Sequence, residues 1–322
     1  MRKWILLFIA ILLTVLFIFS QSFLKTKEFN DIYFRIHKGE SALSIANRLA
    51  DENLINSRFA FYWFTRFSGK AKNLDYGLYH FEGKLNSWDI LKKIESGQVQ
   101  LKKITIPEGL YLKQTFLILK NNNLGEFAIF DSLSKNADYI EELTGFDATS
   151  LEGFLYPETY FFPENASEKF ILKTMVEQHF SQTKDLDFSH SKEMNYYSIL
   201  TLASIVEREA QFEEEKPIIA SVYLNRLDIG MRLQADPTVA YILELNGEKR
   251  KKIFYKDLKI DSPYNTYLYK GLPPTPICSP SKSSIKAVLE PKETDYFYFF
   301  ASGGGRHTFS QTYSQHLSRQ RN

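Results

Sequence analysis

Two glutamates close the most apolar helical stretch of the sequence, and a carboxyl group in such a place is a candidate proton donor. From Tyr196 to Ala210 the chain reads YYSILTLASIVEREA. At about 100° per residue, Leu200 and Ala203 flank Glu207 with Ala210 on the same side, whereas Glu209 lies nearly opposite, beside Leu202 and Ile205. A helix that is apolar nearly all round is buried. Desolvation disfavours the charged form of a carboxylate there and raises its pKa, which is what a general acid needs near neutral pH. On this ground Glu207 is the catalytic candidate, and Glu209 has a similar but weaker case. The competing structural reading pairs a buried Glu207 with Arg226 or Arg232.

Other residue types point less directly to chemistry. Glu152 and Glu158 sit in LEGFLYPETYFFP, a stretch whose aromatics and two prolines predict extended chain with turns. Loop carboxylates of this kind are usually solvated. Glu213-Glu214-Glu215 precedes Pro217 and reads as a helix start that complements the dipole. That helix ends at Gly230, with Asn225-Arg226 near its end, available to a ligand or to neighbouring caps. Asp236 before Pro237 has the pattern of an N-cap. The loops carrying Tyr264-Asn265 and GLPPTP offer amides, hydroxyls and aromatic faces, a set that suits a neutral polyhydroxylated ligand. The six histidines, among them His307, show no metal-ligand spacing. No nucleophile elbow or P-loop lysine is present, and Cys278 among prolines has no evident base. No metal or organic cofactor is implied.

The elements that must carry these residues are preceded by an apolar run. Met1-Arg2-Lys3 leads into Trp4–Phe19, broken only by Thr14, and Phe23-Leu24 follow Ser20-Gln21-Ser22. Residues 1–24 are long enough for a membrane anchor, and the leading cations predict a cytoplasmic N-terminus with the rest exported. A cleaved signal peptide is the alternative. From Asp31 a strand–turn–helix pattern occurs twice: Phe34/Ile104, Ile36/Ile106, Gly39/Gly109, Asn53/Asn123 and Leu54/Leu124 keep one separation. Between the copies lie a strand from Gly77 and a helix over Ser87–Ser96. Near the end, Tyr296–Phe300 reads as a strand that turns at Gly303-Gly304-Gly305. The whole predicts an α+β fold: anchor 1–24, membrane-proximal βα modules over 30–125, and a larger mixed domain over 145–322. With Lys+Arg 40 against Asp+Glu 38, the net charge of +2 leaves no electrostatic footprint for nucleic acid.

The motifs LEGFLYPETY (151–160), LASIVERE (202–209), ASVYLNRL (220–227), MRLQADPTVA (231–240), YNTYLYKGLPP (264–274) and YFFASGGGRHTF (298–309) resemble the endolytic murein transglycosylases, the YceG-like family. The first βα unit, Ile36–Ser41 with Ile45, Ala46 and Leu49, resembles a LysM-type glycan-binding module; a rigid spacer is the alternative. The resemblance implies a bacterial enzyme of the cytoplasmic (inner) membrane whose catalytic domain faces the cell wall and cuts nascent peptidoglycan strands internally, ending strand elongation. It implies Glu207 as the acid for the N-acetylmuramic acid–β-1,4–N-acetylglucosamine bond, giving a 1,6-anhydro end without water, hence a lyase. It also implies Glu152, Asn225, Asp236, Tyr264, Asn265 and His307 along the glycan groove, and peptidoglycan synthases as partners. A muramidase-type hydrolase with Asp236 or Glu152 as second carboxylate, and a non-catalytic glycan-binding scaffold, are the competing readings.

Overall fold

The computed structural model describes residues 4, 10, 14, 17, 21, 23–97, 101–164, 166–190, 194–248 and 252–321. Among them no helix is long and apolar enough to cross a membrane, and most of the predicted anchor lies outside the described residues. The chain divides at Lys102/Lys103 into two compact units, each with its own hydrophobic core.

In the first unit β1 (Lys27–Ile36) pairs antiparallel with β2 (Gly77–Leu85), Phe34 facing Tyr79. The register shifts between Phe29 and Ile32, where Asp31 takes a φ of 56°, as a bulge does. Three helices cover this ribbon: α1 (Ala42–Asp51), α2 (Arg58–Phe67) and α3 (Ser87–Glu95). Each begins where a side chain replaces a missing backbone acceptor. Ser41 caps α1, as its position in the sequence predicts, Ser57 caps α2, and Asn86 with Asp89 forms a capping box on α3. The core gathers Phe34, Ile45, Leu49, Phe61, Phe81 and Ile90, together with Phe23 from the end of the apolar run.

The internal repeat is present in three dimensions. β3 (Leu101–Thr105), which begins at the division and leads into the second unit, pairs with β4 (Thr159–Pro163), and α4 (Leu112–Asn121) follows β3 as α1 follows β1. Gly39 and Gly109 have φ values of 81° and 72°, and Asn53 and Asn123 values of 58° and 54°. These left-handed positions turn the chain before and after each helix, which only Gly and Asn adopt readily. Leu54 N–H then reaches Leu49 O, and Leu124 N–H reaches Leu119 O, at 2.7 and 3.0 Å. The second copy, grouped from sequence with the membrane-proximal module, packs Ile104, Ile106, Phe116 and Leu119 into the core of the second unit.

The rest of that unit is largely helical: α5 (Phe127–Leu133), α6 (Ala137–Thr144), α7 (Glu168–Thr183), α8 (Tyr196–Glu209), α9 (Lys216–Asp228), α10 (Asp236–Leu245) and α11 (Lys282–Leu289). A hairpin of β5 (Tyr298–Gly303) and β6 (Arg306–Ser310) and a last helix, α12 (Tyr313–Gln320), complete it. α8 is the centre, packed by α9, α10 and α11. Every residue from Ile199 to Val206 is buried, so the all-round apolar pattern read from sequence reports its true environment. Among the described residues the fold is therefore a mixture of helices with three two-stranded sheets.

Candidate active site

Glu207 and Glu209 leave the last turn of α8 on different sides and meet different chemistry. The Glu207 side chain is only 7% exposed, but its carboxylate is not surrounded by apolar groups. Its Oε2 accepts from the backbone N–H of Ser281 at 2.9 Å, from Ser281 Oγ at 2.5 Å and from Ser284 Oγ at 2.7 Å. Lys216 Nζ stands 3.5 Å away and also donates to Ser281 and Ser283. The ion-pair partner is thus Lys216 on α9, not Arg226 or Arg232. Ser281 is at the same time the N-cap of α11. This cluster ties α8, α9 and α11 together, and a side chain at position 109 would meet the Glu207 methylene, its Cβ lying 3.8 Å from Cγ.

Glu209 instead lines a cavity of about 720 Å³ with Arg226, Gln234, Asp236, Tyr267 and His307; Glu207 is not among the lining residues. Burial pushes the Glu209 carboxyl up to about 7; the Asp236 charge adds to this, while a hydrogen bond from Tyr223 and the Arg226 charge oppose it. Tyr223 OH donates to Oε1 at 2.9 Å. With Oε1 so engaged, a proton on this carboxyl sits on Oε2.

The cavity wall is assembled from distant segments. Asp236 is not a cap: Ala235 is the N-cap residue of α10, and Asp236, in its first turn, accepts from Tyr267 OH at 2.6 Å. Gln234, just before α10, holds a φ of 49° and donates its N–H to Thr266 O. A non-glycine residue in that region costs of order 1–3 kcal/mol and marks a constrained site. His307, on β6, gives both its backbone N–H and its Nδ1 side to Glu215, at 3.1 and 2.8 Å. The acidic run before α9 therefore does more than complement a dipole. Glu213 pairs with Lys216, Glu214 with Arg306 and Glu215 with His307, which anchors the β5–β6 hairpin.

Of the residues singled out from sequence, Glu209, Arg226, Asp236 and His307 share the cavity. The others do structural work. Glu152, 2% exposed, accepts from Leu112 N–H at the start of α4 and from Tyr241 OH. Burial pushes its carboxyl up to about 8, against these hydrogen bonds. Glu158 is exposed and accepts from the neighbouring Thr159 N–H. Asn225 donates to Thr294 O and Tyr296 O, and Tyr264 OH meets Thr275 Oγ1. Asn265 is fully buried; its Nδ2 donates to Leu258 O and Ile260 O and its Oδ1 accepts from Tyr267 N–H. It thereby fixes the turn that presents Tyr267. Sequence reading gave no site role to Tyr267, Gln234, Tyr223 or Glu215, the last read only as part of a helix start. Tyr267 and Gln234 lie inside motifs already marked, but only tertiary structure brings them beside Glu209.

Cys278 is buried and donates to Ser204 O. Among the described residues no cluster of His, Cys, Asp and Glu could hold a metal ion.

A model of the YceG-like family matches residues 34–322. The endolytic murein transglycosylase of Bacillus subtilis (strain 168) is 33% identical over 322 residues, covering 93% of this chain and 88% of that protein. The endolytic murein transglycosylase of Streptococcus pneumoniae R6 is 27% identical over 83% of this chain, which spans about half of that longer protein, 53%. A crystal structure of a yceG-like protein from Listeria monocytogenes matches with a TM-score of 0.61 at 33% identity, covering 90% of this chain and 99% of that one. Since the family match runs from residue 34 to residue 322 and the similarity to the Bacillus protein covers 93% of the chain, the chain belongs to the YceG-like family.

Proposed function

We propose that this chain is an endolytic murein transglycosylase that cleaves the bond between N-acetylmuramic acid and N-acetylglucosamine inside glycan strands, with Glu209 rather than Glu207 as its acid. The observation that carries the assignment is the Glu209 carboxyl: it lines a cavity of polar and aromatic groups, and burial pushes it up to about 7. A group that titrates there is protonated often enough to donate and is a competent base once ionised. Glu207 lies outside the lining of that cavity, its Oε2 engaged by three hydrogen-bond donors with the Lys216 ammonium 3.5 Å away.

In the reaction Glu209 Oε2 gives its proton to the bridging oxygen as the C1–O bond breaks with oxocarbenium character. The carboxylate left behind takes the proton of the muramic C6 hydroxyl, and O6 closes on C1. The product is a 1,6-anhydro end and no water is consumed. Tyr223 steadies the anionic form of the acid, and the Asp236–Tyr267 pair offers negative charge and a hydroxyl to the sugar. The curated relatives that carry the name endolytic murein transglycosylase support the same reaction class.

Asp236 also favours a second reading, a hydrolase in which a second carboxylate activates water. Mass spectrometry of muropeptides released from purified glycan separates the two: anhydro ends are expected, and reducing muramic ends would replace the transglycosylase by the hydrolase. We further take residues 1–24 as a single-pass anchor in the cytoplasmic membrane, the first unit as a LysM-like module reaching the wall, and peptidoglycan synthases as partners. Full-length protein that stays with membranes through an alkaline carbonate wash is the expected result for the anchor; release would refute it.

A further inference from the structure

The first unit exposes an aromatic stripe that its own fold does not cover. Phe59, Trp63 and Phe67 recur at four-residue spacing on α2 and so share one face. Phe59 is 71% and Phe67 81% exposed. Trp63, partly exposed, stacks on Phe67 with ring centroids 5.2 Å apart. The opposite face, with Ala60, Phe61 and Thr65, is buried in the core. Arg58 and Arg66 border the stripe, both exposed. A helix with one face in a protein core and the other built of large aromatics edged by arginine has the composition of an interfacial helix.

The course of the chain says what covers that face. Phe23, at the end of the apolar run, packs on α2 from the core side, its ring centroid 4.5 Å from Phe64 and 6.4 Å from Phe61. Asn56 donates to Lys25 O at 2.7 Å, one residue before the Ser57 cap of α2. Phe23 and Lys25, which close the apolar run and follow it, therefore lie against α2 and the residue before its cap. Any bilayer that holds the run brings its headgroup layer to this helix.

We propose that α2 lies in the interfacial layer of that bilayer, with Phe59, Trp63 and Phe67 at the boundary of headgroups and acyl chains and Arg58 and Arg66 toward lipid phosphates. The proposal rests on reading the apolar run as an anchor. It adds a second point of attachment, which fixes how the first unit stands on the membrane.

The test uses the full chain reconstituted into phosphatidylglycerol–phosphatidylethanolamine vesicles. Trp4→Phe and Trp88→Phe leave Trp63 as the one tryptophan of three. Replacing part of the lipid by its acyl-dibrominated form is expected to reduce Trp63 emission about twofold, the depth an interfacial aromatic reaches. Phe59→Ser with Phe67→Ser, both on the exposed face, is expected to remove most of that quenching without loss of fold. Protein that floats with the vesicles but keeps its Trp63 emission in brominated lipid would overturn the proposal while sparing the anchor, and would point to a protein surface over the stripe. Protein that fails to float would overturn the anchor and the proposal together.

Discussion

At Glu209 the sign of each neighbour's effect is fixed by charge. Asp236 is anionic and raises the acid, whereas Tyr223 donates a hydrogen bond that favours the ionised form. An acid that must be protonated to work loses kcat/KM as pH rises through its pKa, here about 7. Asp236→Asn is therefore expected to move the alkaline limb of the profile to lower pH, and Tyr223→Phe to move it to higher pH. Shifts in one common direction, or none, would separate Glu209 from the observed ionisation. Choosing between the two glutamates lay beyond sequence reading for a physical reason. α8 is buried on every side, so helical periodicity cannot say which neighbour supplies hydroxyls and an ammonium and which leaves a cavity. Ser281, Ser284 and Lys216 come from other elements, and only the packed fold brings them to Glu207.

Elements whose ends are set by local chemistry were legible in advance. The repeat could be read because each copy needs left-handed backbone at the same two places, filled by Gly39 and Asn53 in one and Gly109 and Asn123 in the other. The Asp236 cap was misread because Tyr267, far along the chain, takes the carboxylate. Glu152 was legible as a motif residue but not as the buried group that satisfies the first N–H of α4. Its carboxyl, raised from the ordinary value of about 4.3 to about 8, makes the folded state bind the extra proton between those values. Its contribution to stability is present at low pH and is lost as pH rises through 8, with a limiting slope of about 1.4 kcal/mol per pH unit for one proton. Glu152→Gln is expected to flatten the fall of Tm between pH 5 and 8, measured by thermal melts. Equal slopes in variant and wild type would contradict a buried, protonated carboxyl.

Over the whole molecule, the two copies of the repeat serve two different cores, since Leu49 packs in one and the equivalent Leu119 in the other. Truncating either to Ala costs about 2–5 kcal/mol. Amide hydrogen exchange should quicken across α1–α3 in Leu49→Ala and across α4 and α8 in Leu119→Ala, and a common pattern in both would mean one shared core. This partition was hidden in the sequence because nothing local distinguishes a strand–turn–helix unit that closes its own core from one that supports a neighbour. Glu209, the proton-transfer group proposed above, is presented to a cavity of the second unit by the end of a buried helix. The most direct measurement is release of anhydro-muropeptides from purified glycan strands by Glu209→Gln and by Glu207→Gln, both first shown to be folded. Loss of release by several orders of magnitude in the first, with turnover largely kept in the second, is the expected result. Turnover kept by Glu209→Gln and lost in a folded Glu207→Gln would return the acid to Glu207 and contradict the account.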